Sequence, residues 1–408
     1  MRSFSIHKLL YQLLVIGLCC LTLKTYFAQN NAEQTALEEK FDWYYKFEFI
    51  GNMFVMIVSL LSFILYKKIF PTFVSVCYVT LVLLVIITSL PEIADVFKKP
   101  SFFFTIRGIG NFLNFGLIFF AANTMYFKKI LKLFYLICIT FIIAGLINLS
   151  KVGMGAAREQ FLFAIGSYAV NLIWIFPFFF LQDESDKKLN ILNTVIFFII
   201  FIFVFATGAR TYLIIYALYL IVKFKVQLQS KNALVVIIGT LLLGTGIYFA
   251  IINSDLKSTL GDAFTVLSER ANTDTRSGQI REFLRQWEPE YFLQGVGPFK
   301  KWYWTNVEDF YYFLDNQFLL MGWWAGLPAL FVYIYLLVRT FFHKPEIKMF
   351  EKVNGIRMML GLWILACMGF AIYVTISSSL YYFFLELLMG YHLCKFSMLK
   401  NPDFEEIT

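Results

Sequence analysis

Residues 189–222 read LNILNTVIFFIIFIFVFATGARTYLIIYALYLIV, and this stretch decides the fold. Its first run, 189–206, is apolar and about as long as an α-helix must be to cross a hydrocarbon core of about 30 Å. A second apolar run, 210–222, follows after only a few small residues. Two such runs in succession predict consecutive transmembrane helices joined by a short turn.

The composition of the whole chain agrees with this prediction. Of the 408 residues, 59% are hydrophobic, 20% are aromatic and only 15% are charged, whereas soluble globular domains carry about 25% charged residues. These values exclude a disordered protein, a secreted disulfide scaffold and a soluble enzyme. The chain is predicted to be an all-α, polytopic membrane protein.

About twelve apolar runs are long enough to be read as spans. They are residues 9–28, 47–66, 70–90, 102–126, 130–149, 161–181, 189–206, 210–222, 232–252, 312–338, 355–375 and 378–394. The run at 210–222 is short, and a few serines alone separate the last two runs, so about eleven spans is the alternative.

The positive charges support the larger count. If the N-terminus lies inside, the inner loops carry well over twice as many Lys and Arg as the short outer loops, as the positive-inside rule predicts. The net charge of +8 therefore indicates orientation, with both termini cytoplasmic. It gives no support for a nucleic-acid partner.

One polar segment interrupts the membrane pattern and falls on the outer side. The predicted organisation is spans one to nine in residues 1–252, an outer loop in 253–311, and the last three spans with a tail in 312–408. Most of the chemistry-bearing residues lie in or beside this loop.

A helix is predicted over residues 276–287, because Ile280, Phe283, Leu284 and Trp287 recur at helical spacing. We expect it to lie flat on the outer membrane surface with these apolar side chains facing the lipid.

Four arginines are placed where they could bind an anion. Arg276, Arg281 and Arg285 belong to the predicted helix, and Arg210 lies at the outer end of the seventh and eighth spans. Arginine stays charged and presents a planar fork of donors that suits phosphate. Binding of lipid headgroups alone, or a snorkelling helix-end arginine in the case of Arg210, is the simpler alternative.

Two further clusters flank these arginines. Trp302, Tyr303 and Trp304 could stack on sugar rings, although aromatic belts at membrane interfaces have the same composition. Asp315 and Asn316 open the tenth span, where they could cap a helix or place a carboxylate over a reacting hydroxyl.

In order, these features resemble the O-antigen polymerase and O-antigen ligase superfamily of bacterial surface-polysaccharide assembly. The resemblance covers roughly residues 195–340. It rests on the following motifs: Gly208-Ala209-Arg210-Thr211 between two spans; Arg276, Arg281, Trp287, Pro289 and Gly295-Val296-Gly297-Pro298 in the loop; and Asp315-Asn316 followed by Gly322-Trp323-Trp324-Ala325-Gly326-Leu327.

The chain departs from the ligase pattern at one position. Ligases of this superfamily usually carry a histidine where this chain has Asp315, and His7, His343 and His392 all fall on or near the predicted cytoplasmic side. The polymerase branch is therefore preferred, with a ligase as the alternative. A lipid-linked oligosaccharide flippase or transporter is the second alternative.

The resemblance implies a GT-C-like, metal-independent glycosyltransferase without a cofactor in the bacterial inner membrane. Its substrate would be a polyprenyl (undecaprenyl) diphosphate-linked glycan, and its partners membrane lipids, a chain-length regulator and a flippase. On this view Arg210 and Arg276 stabilise the leaving diphosphate and Asp315 is the base. The substrate-binding residues would be Arg281, Arg285, Trp302, Trp304 and Asn316.

Overall fold

The computed structural model describes thirteen parts of the chain. They are residues 5–30, 45–90, 109–151, 158–181, 187–206, 210–228, 275–297, 300–305, 309–311, 314, 316–346, 355–365 and 379–400. The predicted span at 232–252 and the candidate base Asp315 lie outside these residues.

The described residues are mostly helical. The α-helices are α1 (Ile6–Asn30), α2 (Tyr45–Tyr66), α3 (Thr72–Ser89), α4 (Ile109–Asn114), α5 (Thr124–Leu149), α6 (Arg158–Leu181), α7 (Lys187–Ala206), α8 (Arg210–Leu228), α9 (Thr275–Gln286), α10 (Tyr291–Gln294), α11 (Gln317–Phe342), α12 (Gly355–Leu365) and α13 (Leu380–Leu393). Short 3₁₀ helices cover Lys67–Ile69, Phe115–Ala122 and Phe396–Lys400, and two short strands, β1 (Trp302–Trp304) and β2 (Asp309–Tyr311), complete the set.

Seven helices in the described part of the chain are long and apolar enough to cross a membrane. They cover Ile6–Asn30, Lys46–Ile69, Thr72–Ser89, Thr124–Leu149, Ala164–Leu181, Lys188–Phe205 and Gln317–Phe342, and Gly110–Ala122 and Tyr212–Lys223 are shorter apolar helices. Large apolar side chains such as Ile64, Leu136 and Ile221 are exposed on the outside of these helices, as expected where a protein contacts lipid. The prediction of an all-α membrane protein is confirmed.

The fourth predicted span, 102–126, differs from the structure. Its described part changes from α-helix to 3₁₀ helix at Phe115, and a non-helical Asn123 (φ −77°, ψ 67°) separates it from α5, which begins at Thr124. A continuous apolar sequence does not reveal this change, because apolar composition is the same for both helix types.

The 3₁₀ helix Phe115–Ala122 lies at the centre of the bundle. All eight of its residues are buried, and Phe119 packs edge-on against Phe63, Phe70 and Tyr78 at centroid distances of 5.1, 5.0 and 5.7 Å. Helix α13 also packs against it. The close approach requires a glycine at position 390, where a Cβ would lie 2.0 Å from the Ile118 carbonyl oxygen.

Candidate functional site

The candidate site is a small unit that rests on the first half of α11. We call it the polar cap and define it as the described residues 275–297, 300–305 and 309–311. It contains α9, α10 and the antiparallel pair β1–β2, and α10 contacts α11 directly. It bears most of the residues that the sequence motifs single out.

Helix α9 confirms the helix predicted over 276–287, but its apolar side chains do not all face lipid. Phe283 is buried against Trp302 and Trp323, with ring centroids 5.7 and 5.0 Å away, and Trp287 lies 6.3 Å from Trp323. Leu284, by contrast, is 46% exposed. The prediction of a helix with its apolar face down on the membrane is therefore wrong for Phe283 and Trp287. The start of α11 offers aromatic side chains that cover them, which helical periodicity alone does not reveal.

The strands β1 and β2 form a two-stranded ribbon that the sequence patterns did not predict. Trp302 pairs with Tyr311 and Trp304 with Asp309. The Gln286 side chain fastens the ribbon to α9, since its Nε2 donates to the Tyr303 carbonyl at 2.6 Å and its Oε1 accepts from the Tyr303 N–H at 2.8 Å. A ribbon this short is held by such contacts more than by its own ladder.

We expect Gln286→Ala to loosen the ribbon without unfolding the bundle. The change removes both hydrogen bonds to Tyr303 and should cost the cap about 1–3 kcal/mol. Limited proteolysis of the purified protein should then cut near β1 faster than in the wild type, while α11 stays protected. Glu290→Gln, on an exposed residue of the same cap, is the control and should leave the cleavage rate unchanged. Equal rates in Gln286→Ala and Glu290→Gln would contradict this role.

The glycine-rich segment after α10 docks the cap onto α11 through backbone hydrogen bonds. The Val296 N–H donates to the Trp323 carbonyl at 2.8 Å, and the Gly297 N–H donates to the Trp324 carbonyl at 3.1 Å. These carbonyls are available because α11 is broken at Gly326, which has φ 80° and ψ 167°. A helix end inside the fold needs such partners for its last carbonyl groups.

The break divides α11 into two half-helices, 317–325 and 327–342. Pro328 follows in the first turn of the second half, where a missing N–H costs nothing. The first half begins at Asn316, whose side-chain oxygen accepts a hydrogen bond from the Leu319 N–H at 3.0 Å. Asn316 therefore caps the N-terminus of α11, which is one of the two roles considered for it from the sequence.

The structure brings several predicted site residues together on the cap. Arg281 and Arg285 lie one turn apart on α9 and are exposed. Trp302 is only 1% exposed and belongs to the packing beneath the surface, whereas Trp304 is half-buried. Arg276 is in the first turn of α9, while Arg210 begins α8, which packs on α6 and α7.

The sequence analysis named Tyr303 as one of three aromatic residues that could stack on sugar rings, but it did not single out Phe310 or Lys300. Tyr303 and Phe310 are 37% and 57% exposed, and their ring centroids lie 5.2 Å apart on the open side of the ribbon. Lys300 lies 4.4 Å from the centre of the Tyr291 ring. Side chains alternate between the two faces of a β-strand, and this period of two is the signal that could have separated exposed Tyr303 from buried Trp302.

These features define the class of the protein: an all-α membrane protein with a cap of charged and aromatic residues seated on a broken helix. Comparison with family models, curated proteins and solved structures finds no match to this chain. The superfamily suggested by the motifs is accordingly carried forward as a proposal.

Proposed function

We propose that this protein is an O-antigen or surface-polysaccharide polymerase. It would transfer glycan repeat units from a polyprenyl diphosphate-linked donor to a sugar hydroxyl of another lipid-linked glycan. The observation that carries the proposal is the polar cap, where the exposed pair Arg281 and Arg285 and the exposed rings of Tyr303 and Phe310 occur in one small unit.

The reaction needs fixed positive charge beside its leaving group. The acceptor oxygen forms a bond to the anomeric carbon, the bond from that carbon to the diphosphate oxygen breaks, and the electron pair leaves with the diphosphate. Arginines near this oxygen stabilise the developing charge without any metal ion. Arg276 and Arg210 are the proposed catalytic cations, and Arg281 and Arg285 are proposed to hold the diphosphate and the adjoining glycan.

The acceptor hydroxyl must lose a proton as it attacks. Asp315 is the proposed base and takes this proton onto its carboxylate. Asp315 directly precedes Asn316, the residue that caps α11. This position in the sequence is the basis for proposing Asp315 as the base.

The exposed face of the ribbon is better suited to bind a sugar ring than Trp302 and Trp304 are. A sugar ring stacks on an open aromatic face, and Tyr303 and Phe310 provide such faces. Trp302 then supports the ribbon from below, and half-buried Trp304 borders the binding surface.

The proposal also includes the finer membrane arrangement. We propose about twelve spans with a GT-C-like arrangement, residues 253–311 as a periplasmic loop, and both termini in the cytoplasm of a bacterium. Reporter fusions after residue 228 and after the C-terminus test this arrangement. Both fusions should report a cytoplasmic location, and a periplasmic signal from either would overturn it.

Product analysis tests the proposed reaction. The purified full chain, reconstituted in lipid, is given a synthetic polyprenyl diphosphate glycan. A polymerase yields longer polyprenyl-linked glycans, whereas a ligase moves the glycan onto a lipid A-core or other acceptor. Asp315→Asn keeps the side-chain shape, removes the base and should abolish elongation. Substrate left unchanged by the wild type would overturn the proposed reaction, and normal elongation by Asp315→Asn would overturn the role of Asp315 as the base.

A lipid-linked oligosaccharide flippase is the second candidate, and the break in α11 at Gly326 favours it. Discontinuous helices line substrate sites in many transporters. The same vesicles distinguish the two, because a flippase moves the labelled glycan lipid between leaflets without changing its length.

A further inference from the structure

A single carboxyl group is buried in the described part of the helix bundle. Glu386 of α13 is fully buried, and neither of its oxygens makes a hydrogen bond of ordinary geometry. Charged residues within spans are costly and commonly mark ion or proton pathways. Glu386 lies outside the polar cap and has no part in the reaction proposed above.

The surroundings of Glu386 are aromatic and carry hydroxyl groups. Tyr382 lies one turn earlier on α13, and its hydroxyl is a hydrogen-bonding group close to the carboxyl. Tyr78 of α3 also interacts with the carboxyl electrostatically. Phe115 stacks on Tyr382 with centroids 6.4 Å apart. In the described residues, no Lys, Arg or His forms an ion pair with this carboxyl. The negative charge of an ionised Glu386 would therefore be uncompensated.

Polar groups continue from Tyr78 into the neighbouring helices. The Tyr78 hydroxyl donates to the Leu113 carbonyl at 3.0 Å. Both this hydroxyl and the Ser59 carbonyl border Gly116, where a Cβ would lie 2.8 Å and 3.2 Å from them. The Ser59 hydroxyl then donates to the Asn114 carbonyl at 2.9 Å.

From Asn114 the polar groups lead to a half-exposed ion pair. The Asn114 amide donates to the Asn52 side-chain oxygen at 3.4 Å, and the Asn52 amide donates to the Glu48 carbonyl at 2.9 Å. Glu48 pairs with Lys24 at 3.1 Å, and both side chains are partly open to solvent. We call this series, from Tyr78 through Ser59, Asn114 and Asn52 to Glu48, the polar track.

We propose that Glu386 is a proton-binding site inside the bundle and that the polar track connects it to solvent at the Lys24–Glu48 end. An isolated carboxylate in an apolar interior costs several kcal/mol, so the resting group holds a proton. A metal cation would need several oxygen ligands. The described neighbours of Glu386 offer only tyrosine hydroxyls, so a proton suits the site better than a metal cation. On release, the carboxyl O–H bond breaks, the electron pair stays on the carboxylate, and the proton is taken up by water that enters along the polar groups of the track.

Infrared spectroscopy of the full chain in lipid tests the state of the group. A protonated carboxyl in an apolar site gives a carbonyl stretch that is separate from the bands of ionised carboxylates and backbone amides. We expect this band at neutral pH in the wild type and its loss in Glu386→Gln, which keeps the shape and should fold. A wild type without the band at neutral pH, or a band that persists in Glu386→Gln, would overturn the proposal.

Deuterium exchange tests the track. Transfer to D₂O should shift the carboxyl band, and Asn114→Leu, which replaces a polar member by an apolar residue of similar size, should slow this shift several-fold. The matched control is Asn193→Leu: Asn193 is a buried asparagine bonded to the Tyr135 hydroxyl at 3.0 Å, away from the track. Equal exchange rates in the two variants would disprove the path.

Discussion

Gly326→Ala is expected to detach the polar cap from α11. Gly326 has a positive φ of 80°, which L-residues with a side chain adopt at a cost of about 1–3 kcal/mol. A Cβ at this position would also lie 2.2 Å from the Leu293 carbonyl oxygen. The strained φ and the clash with the Leu293 carbonyl both involve the backbone, so no side-chain rotation can relieve them. The loop that carries Gly295 must therefore move away from α11.

Tryptophan fluorescence measures this detachment, since Trp287 and Trp323 are buried between the cap and α11. We expect a red shift of the emission and faster proteolysis within residues 275–305, with the bundle still folded by circular dichroism. Gly278→Ala is the matched control, because a Cβ there meets nothing within 4 Å. It lies inside α9 and should stabilise that helix by about 0.5–1 kcal/mol. Wild-type emission and protection in Gly326→Ala would show that the cap tolerates the change.

The sequence indicated that Gly295 and Gly297 have an unusual role, but it did not identify their partner. Two glycines close together predict backbone freedom, and both do adopt positive φ, 69° and 86°. They approach the end of the first half of α11 at Trp324, about thirty residues further along the chain. Periodic sequence patterns describe neighbours within one helix or strand, so they could not predict this contact. The docking role of these glycines therefore follows from the structure and not from the sequence.

The spans were predictable where length and apolarity are sufficient, as for α5 and α7, whose ranges overlap the runs 130–149 and 189–206. Prediction failed where tertiary contact sets the helix type, as in the 3₁₀ helix Phe115–Ala122 against Gly390. For the candidate site, charge and helical spacing located Arg281 and Arg285 on one helix. They could not show which aromatic residues of the ribbon stay exposed, because that depends on which face packs against Phe283.

Replacing Arg276 or Arg210 by alanine is expected to abolish long-chain polysaccharide. Removing one fixed donor from a developing oxyanion commonly lowers kcat by about 100- to 1000-fold, which is enough to eliminate a ladder of long products. The measurement is the chain-length distribution in membranes that contain equal amounts of wild-type and variant protein. Normal ladders at equal protein levels would contradict both roles.

The remaining cap cations separate catalysis from simple membrane attraction. Arg281→Lys keeps the charge but loses the planar fork that binds phosphate through two hydrogen bonds, so it should raise KM for the diphosphate donor. Lys300→Ala removes a charge from the same cap, where Lys300 lies over Tyr291, and serves as the control. If the cap arginines only bind lipid headgroups, Arg281→Lys should behave like the wild type, and Lys300→Ala should weaken the contact of the cap with anionic lipid as much as Arg281→Ala does. If they hold the diphosphate, the arginine variants change donor kinetics while Lys300→Ala does not, because Lys300 lies over Tyr291 and is not among the residues proposed to position the leaving group.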